Sequence, residues 1–507
     1  MAESVVASRQ RAVALPMVRL EHLWALVPLV LIFTYGASQP IIHSDFFYNL
    51  MNGRLMVEQR ALLTRDVLAY APQVVPFYNQ PWLTQLAYYV EYQIGGYPMV
   101  LFVHACALTA AFAAVQAVAR TLSGSARWAS VATLIAVAIG FTNAAVRPQE
   151  YSFFPFALVW LLLVRYAARG WQLWLIPAIV AIWVNVHGAF LLGLGLVGIS
   201  LLGATLEAYR PGQGPRSVLE DARVRRLALV GACAALATLL NPYGPWIYDY
   251  WLKATMDPVA RATGNEWEPT TIHRPAGLFF FLSLIPAAVV AALVALRRQR
   301  PPSWTDALLL ACFGPFALIS IRNVVWWGMI LPPLLAKYAA LALPRRATGE
   351  PRREVALLNL ALAATLVGIA GLSLPWLRVS DPLLAPNLRG YLDPTHPVDA
   401  VDYLRQSGAS GRVWVRMEWG GFTEWELWPR LRPMVDARME IRPPQVWYDY
   451  FTIIEARPGW EEILDRDRVD YLVLELSAFP EMRAAVAASP IWHEVYRDHL
   501  AAVYARR

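Results

Sequence analysis

From Leu23 to about Leu374 the chain repeats one pattern, an apolar run of about 15 to 22 residues followed by a polar loop. About 20 apolar residues in helical form cross the hydrocarbon core of a bilayer. No ordinary water-soluble core accommodates so many runs of that length. The chain therefore reads as a polytopic α-helical membrane protein, and its 57% hydrophobic and 16% charged residues agree.

Threading the runs gives eleven spans: 23–42, 97–119, 128–145, 151–164, 171–183, 189–206, 227–240, 276–296, 304–321, 324–343 and 355–374. Residues 83–95 read as an amphipathic interfacial helix that Gly95-Gly96 breaks. The net charge of +7 would suit a nucleic-acid partner, but its distribution excludes that class. Arginines gather in alternate loops, at Arg9/Arg11/Arg19, Arg120/Arg127, Arg165/Arg169, Arg210–Arg226, Arg297/Arg298/Arg300 and Arg345–Arg353. This positive-inside pattern places the N-terminus in the cytoplasm and the C-terminus outside. Arginines precede the first run and no A-x-A-like site closes it, so it reads as a retained anchor. Cys106, Cys233 and Cys312 all fall in apolar runs, with neither a disulfide framework nor metal spacing.

After Pro375 the composition changes. Residues 1–375 read as the membrane domain, with a first outer loop at 43–82, and residues 376–507 as a soluble extracytoplasmic α/β domain. Strands are expected at 413–416, 471–474, 492–497 and 501–504, with helical stretches at 400–405 and 460–464.

The threading puts the unusual polar clusters on one side. His43/Asp45, Asp66, Arg147-Pro-Gln-Glu150, Asn185-x-His187-Gly188, Asn241-Pro-Tyr-Gly244, Glu266-Trp-Glu268 and Arg322-Asn323 all fall in outer loops. Acids and arginines at a membrane surface suit glycosyl transfer from a lipid-linked phosphate. A carboxylate takes the proton of the attacking acceptor, and arginines hold the charge that grows on the leaving phosphate.

The run DFFYNLMNGRLMVE from Asp45, with Thr64-Arg-Asp66, Gln80-Pro-Trp82, Arg147-Pro-Gln, Asn185-Val-His187-Gly188, Leu240-Asn-Pro-Tyr-Gly244, Glu266-Trp-Glu-Pro, Arg322-Asn, Trp419-Gly-Gly and Val469-Asp-Tyr-Leu, resembles a bacterial group of multispanning membrane proteins. That group is related to the GT-C glycosyltransferase superfamily, which includes the protein O-mannosyltransferase and lipid A aminoarabinose transferase types. The resemblance spans nearly the whole chain. It implies a GT-C-like fold in the bacterial inner membrane and a catalytic acid in the first outer loop, where Asp45 stands. Two departures are visible: Ser44-Asp45-Phe46 has no adjacent second acid, and Trp419-Gly420-Gly421 stands in place of a W-W-D-Y-G signature.

Each residue also has a plainer reading. Asp45 could cap a helix, Asp66 begin a turn, Arg147 end a helix before Pro148, and His187 bridge two helices. Asn241-Pro-Tyr-Gly244 could be a simple helix stop, Trp326-Trp327 an aromatic belt, and the tryptophans after residue 376 core. Weighing these, the sequence points to a glycosyltransferase that moves a sugar from a polyprenyl-phosphate-linked donor to a glycan, lipid or protein acceptor, with inversion. Asp45 is the expected base. Arg147, Arg322, His187 and Asn185 are expected at the donor phosphate, and Asp66, Glu266 and Glu150 are candidates for a second acid or a metal ligand. No cofactor is certain beyond a candidate divalent cation, Mg2+ or Mn2+. The alternatives are a transporter or flippase of lipid-linked intermediates, or a non-catalytic membrane scaffold with an outer binding domain.

Overall fold

The computed structural model describes residues 18–167, 169–264, 266–299, 301–343, 356–380 and 389–507. Arg9, Arg11, Arg300, Arg345, Arg346, Arg352 and Arg353, which contribute to the charge bias, lie outside the described residues.

Each apolar run contains a helix: Leu20–Ser38, Trp82–Ser123, Ala126–Gly140, Phe153–Tyr166, Leu175–Trp183, Phe190–Ala208, Ala222–Ala237, Pro275–Leu296, Trp304–Ile319, Val324–Ala342 and Ala356–Leu372. Among the described residues five helical segments are long and apolar enough to cross a membrane: Leu20–Ser38, Trp82–Ser123, Phe190–Ala208, Pro275–Leu296 and Ile321–Ala342. Burial separates their roles. The apolar window of Ile321–Ala342 is 72% buried and that of Pro275–Leu296 only 17%, so the first is central and the second presents its side chains to lipid.

The expected break at Gly95-Gly96 is present: within Trp82–Ser123 both glycines leave helical geometry, so residues 82–94 and 97–123 form two helical legs. Gly96 has φ +63° and ψ −157°, a left-handed backbone that side chains resist. Trp326 and Trp327 are not an aromatic belt. Trp326 packs edge-on against Phe153, and Trp327 donates to Ser283 Oγ at 3.0 Å. Both are almost fully buried.

The stretch expected as the first outer loop, 43–82, is more ordered than a loop. Asp45–Gln59 is a helix that buries Phe46, Phe47, Leu50, Met51 and Leu55, and it packs on both Trp82–Ser123 and Met417–Leu427. Its entry is held from the C-terminal side. Ile41 donates its amide to Tyr391 at 2.8 Å, and its carbonyl accepts from Asp393 at 3.1 Å.

The C-terminal part carries a mixed five-stranded sheet of β1 (Gly411–Val415), β2 (Leu431–Pro433), β3 (Tyr471–Glu475), β4 (Trp492–Arg497) and β5 (Ala501–Arg506), in the order β2-β1-β3-β5-β4. β1 runs parallel to β2 and β3, and β5 antiparallel to β3 and β4. The four expected strands are present. β2 has only three residues, too few for an alternating pattern to be read. Trp414, Trp419 and Trp447 lie in the core.

Candidate functional site

Five chain segments meet where Asp45 begins its helix. Asp45 lies in the first turn, half-buried, and its carbonyl accepts from Asn49 Nδ2 at 2.7 Å. His43 stands two residues before it. Glu266 arrives from the loop after the short helix Pro258–Thr263. His43, Asp45 and Glu266 each offer a ligand atom, and these atoms all lie within 4.8 Å of one another.

Backbone bonds fix the loop that carries Glu266. Its carbonyl accepts from Ser320 Oγ at 2.6 Å and from the Arg322 amide at 3.3 Å, and the Glu268 carbonyl accepts from Ile321 at 2.9 Å. Arg322 therefore reaches the site by the same staples that hold Glu266. Its guanidinium lies 4.5 Å from the Trp267 ring centroid, a cation–π contact, and hydrogen-bonds to no described residue. Arg147 is 5% exposed and donates through Nη1 to Glu266 Oε2 at 2.7 Å and through Nη2 to Gln149 Oε1 at 2.7 Å. Its Nε is buried without a partner.

The electrostatics follow from this crowding. Burial and the charge of Glu266 push Asp45 up to about 7, against the pull of Arg147 and Arg322. Burial works on Glu266 too, but Arg147 and Arg322 outweigh it and hold that carboxyl well below the usual range. Burial first, then Arg147, lowers His43 to about 4. Burial and Arg322 lower His187 to about 3. At neutral pH both imidazoles are neutral and able to accept a proton or a metal ion. His187 Nδ1 accepts from the Ala189 amide at 3.1 Å.

One imidazole nitrogen and two carboxylates suit a divalent cation. Oxygen and nitrogen ligands on opposite sides of such an ion stand about 4 to 5 Å apart, so the observed separation fits. Glu266 retains Oε1 for this purpose, since Arg147 bonds to Oε2.

Three residues grouped with these by sequence are used elsewhere. Asn185 accepts from Trp82 Nε1 at 2.8 Å and donates to the Ala181 and Leu240 carbonyls, both at 2.9 Å. It ties the outer loop to two helix ends and has no group left for a phosphate. Glu150 is fully buried and bonded to His104 Nδ1 inside the helical body. Asp66 is not beside Asp45 either: its carboxylate accepts from Arg438 Nη2 at 2.9 Å and from Arg442 Nη2. Arg438 also forks Asp436, and Arg442 donates to the Ala71 carbonyl at 2.7 Å. Asp66 is a clamp between the 43–82 segment and the C-terminal part of the chain.

Sequence reading did not single out Glu440, whose charge is felt at Asp45 and Arg322, or Tyr48, whose ring lies 4.9 Å from the Arg438 guanidinium. The only signal was the periodicity of the Asp45 helix, which could have placed Tyr48 one turn from Asp45.

The structure is similar to that of the Archaeoglobus fulgidus oligosaccharyltransferase tethered to an acceptor peptide containing the NVT sequon, with a TM-score of 0.55 and 13% identity over 96% of this chain and 74% of that one. It is similar to ArnT from Cupriavidus metallidurans bound to undecaprenyl phosphate, with a TM-score of 0.54 and 16% identity over 96% and 97% of the two chains. Arabinofuranosyltransferase AftD from Mycobacteria matches with a TM-score of 0.54 and 19% identity over 96% of this chain and 41% of its own. No protein-family model matches the chain, and no curated protein matches it in sequence. At these identities the likeness is one of fold, and the fold is of GT-C type.

Proposed function

We propose that the protein is a membrane glycosyltransferase that moves a sugar from a polyprenyl-phosphate donor to an extracytoplasmic acceptor, inverting the anomeric carbon. The observation that carries this reading is the convergence of Asp45, Glu266, Arg147, Arg322 and the neutral imidazoles of His43 and His187 at the mouth of a GT-C-type helical body. The undecaprenyl phosphate on the similar ArnT and the acceptor peptide on the similar oligosaccharyltransferase support donor and acceptor classes of this kind.

In the proposed reaction the acceptor hydroxyl oxygen forms a bond to the anomeric carbon while the bond from that carbon to the phosphate oxygen breaks. Asp45 takes the hydroxyl proton, and polyprenyl phosphate leaves with the bonding electron pair. A carboxylate raised to about 7 is matched to this task, since it is a stronger base than an ordinary aspartate and is half ionised near neutrality. Arg322, whose guanidinium hydrogen-bonds to no described residue, is positioned to meet the leaving phosphate. Arg147 shares its charge with Glu266, so it contributes less. A divalent cation held by His43, Asp45 and Glu266 would supply further positive charge at the phosphate. Each carboxylate has two oxygens, so holding a cation and taking a proton do not exclude each other at Asp45.

The test is turnover of radiolabelled polyprenyl-phosphate sugars by the purified protein in lipid nanodiscs, across a donor panel, with and without Mg2+ or Mn2+. Release of polyprenyl phosphate with at least one donor is the expected result. Its absence with every donor contradicts the proposal.

A further inference from the structure

Gln149 lies between two residues already accounted for, Arg147 at the site and Glu150 on His104, and it is 3% exposed. Its place follows from the sequence around it. Pro148 forces Arg147 into extended backbone, with φ −160° and ψ 158°, and then opens the 3-10 turn Pro148–Ser152. The turn brings the Gln149 amide back beside the Arg147 guanidinium. Gln149 Oε1 accepts from Arg147 Nη2 at 2.7 Å, and Gln149 Nε2 donates to the Arg322 carbonyl at 3.4 Å. Asn143 Nδ2 donates to the same carbonyl at 3.4 Å. The Arg322 amide in turn donates to the Glu266 carbonyl at 3.3 Å, and Glu266 Oε2 accepts from Arg147 Nη1 at 2.7 Å.

These four contacts close a ring that runs from Arg147 to Gln149, Arg322 and Glu266 and back to Arg147. Segments far apart in sequence are locked together by it. The ring occupies neither the Arg322 guanidinium, which stays over Trp267, nor Arg147 Nε. Position 149 calls for a neutral group that both accepts and donates. Reversed, the amide would set its NH2 against a guanidinium and its oxygen against a carbonyl oxygen, so its partners allow one orientation. A carboxylate there would give Arg147 a second acid beside Glu266 and repel the Arg322 carbonyl. An apolar side chain would leave a second nitrogen of the buried Arg147 unpaired, as its Nε already is.

We infer that Gln149 is a positioning residue whose amide fixes the spacing of Arg147 and Arg322, so that both face one phosphate, and takes charge from neither. It acts through the two arginines and does not touch the donor. The inference rests on the donor reading above.

The experiment titrates undecaprenyl phosphate into the full chain in nanodiscs, for Gln149→Met, Arg147→Met and the double variant beside the wild type. Gln149→Met weakens binding about tenfold, the scale of a hydrogen bond to a charged group. Its melting temperature is held, because Asn143 still donates to the Arg322 carbonyl. In the Arg147→Met background the ring is already open, and adding Gln149→Met changes binding by less than about twofold, a non-additivity that the double-mutant cycle reads. Gln149→Asn keeps the amide but is one methylene too short to span both partners; it repeats the pattern and replaces Gln149→Met if that variant does not fold. Equal losses from Gln149→Met in the two backgrounds overturn the inference, since a residue that touches the phosphate, or only supports the fold, acts with or without Arg147. No binding of undecaprenyl phosphate by the wild type overturns the donor reading and the inference with it, a result distinct from equal losses, which overturn the inference alone.

Discussion

Gly421 lies so close to Ser44 that a methyl group on it would stand 3.0 Å from the Ser44 carbonyl oxygen and 3.1 Å from the Tyr48 amide nitrogen. The C-terminal helix Met417–Leu427 thus rests directly on the first turn of the helix that carries Asp45. Gly420 faces the other way, and a methyl there would overlap the Val435 carbonyl oxygen and lie 2.8 Å from the Asp436 Cα. The Trp419-Gly420-Gly421 run has a mechanical meaning here: Gly421 lets its helix rest on the turn that carries Asp45, and Gly420 lets the same helix lie against Val435 and Asp436.

That contact makes a prediction about size. Gly420→Ala meets backbone that cannot rotate away and should cost about 1 to 3 kcal/mol. Gly421→Ala should cost less in stability but displace Asp45. Thermal unfolding of the two variants in nanodiscs, set beside turnover, checks the split. Equal behaviour of the two in both measurements would count against it.

The Asp66 clamp predicts an acid-sensitive junction. Burial opposes ionisation of Asp66, but Arg438 and Arg442 outweigh it and hold its pKa below the ordinary 3.8. A carboxyl depressed on folding contributes stability that is complete above its unfolded pKa and is lost as pH falls through the folded value. Asp66→Asn leaves Arg442 without its carboxylate, while Arg438 keeps Asp436, and should cost about 3 to 5 kcal/mol at neutral pH. It should also flatten the stability profile below about pH 4. Chemical denaturation of wild type and variant across pH 2.5 to 7 would show it, and parallel curves would refute the clamp.

Arg322 predicts a loss that lysine does not repair. Its guanidinium is stacked on Trp267 and hydrogen-bonds to no described residue, which suits it to fork a phosphate. Arg322→Lys should weaken donor binding about tenfold or more, and Arg322→Met further. Arg147→Lys should show a smaller loss in donor binding, since Glu266 already engages that guanidinium. Titration with undecaprenyl phosphate measures all three.

Asp45 predicts the pH limb. A base with its pKa near 7 is protonated and inactive below that value, so transfer in chelated protein should rise through about pH 7. A cation bound by His43, Asp45 and Glu266 favours the ionised form. Added Mn2+ should therefore move the limb to lower pH. A limb that stays in place with and without Mn2+ would separate the cation from Asp45.

Much of this arrangement was legible in the sequence because membranes restrict it. Apolar length placed the helices and so marked Asp45, Arg147, His187, Glu266 and Arg322 as polar residues where apolar runs end, and the fold brings those ends together. Asn185, Glu150 and Asp66 passed the same filter, because a loop position does not say whether a polar group faces a ligand or another loop. Asn185 turned out to bond Trp82, 103 residues away, and Asp66 to bond Arg438, 372 residues away. Glu440 was hidden for a related reason. It is an acid in an ordinary charged domain, and only the docking of that domain on the Asp45 helix brings it to the site.

The central claim is that Asp45 is the base, and one comparison tests it most directly. Wild type and Asp45→Asn are assayed side by side in nanodiscs with a turned-over polyprenyl-phosphate sugar, measuring both donor binding and transfer. The account predicts that Asp45→Asn binds donor within a few fold of wild type and loses transfer by about 100-fold or more, the usual scale for removing a positioned base. Transfer equal to wild type in Asp45→Asn would contradict it and move the base to another acid of the site, Glu266 first.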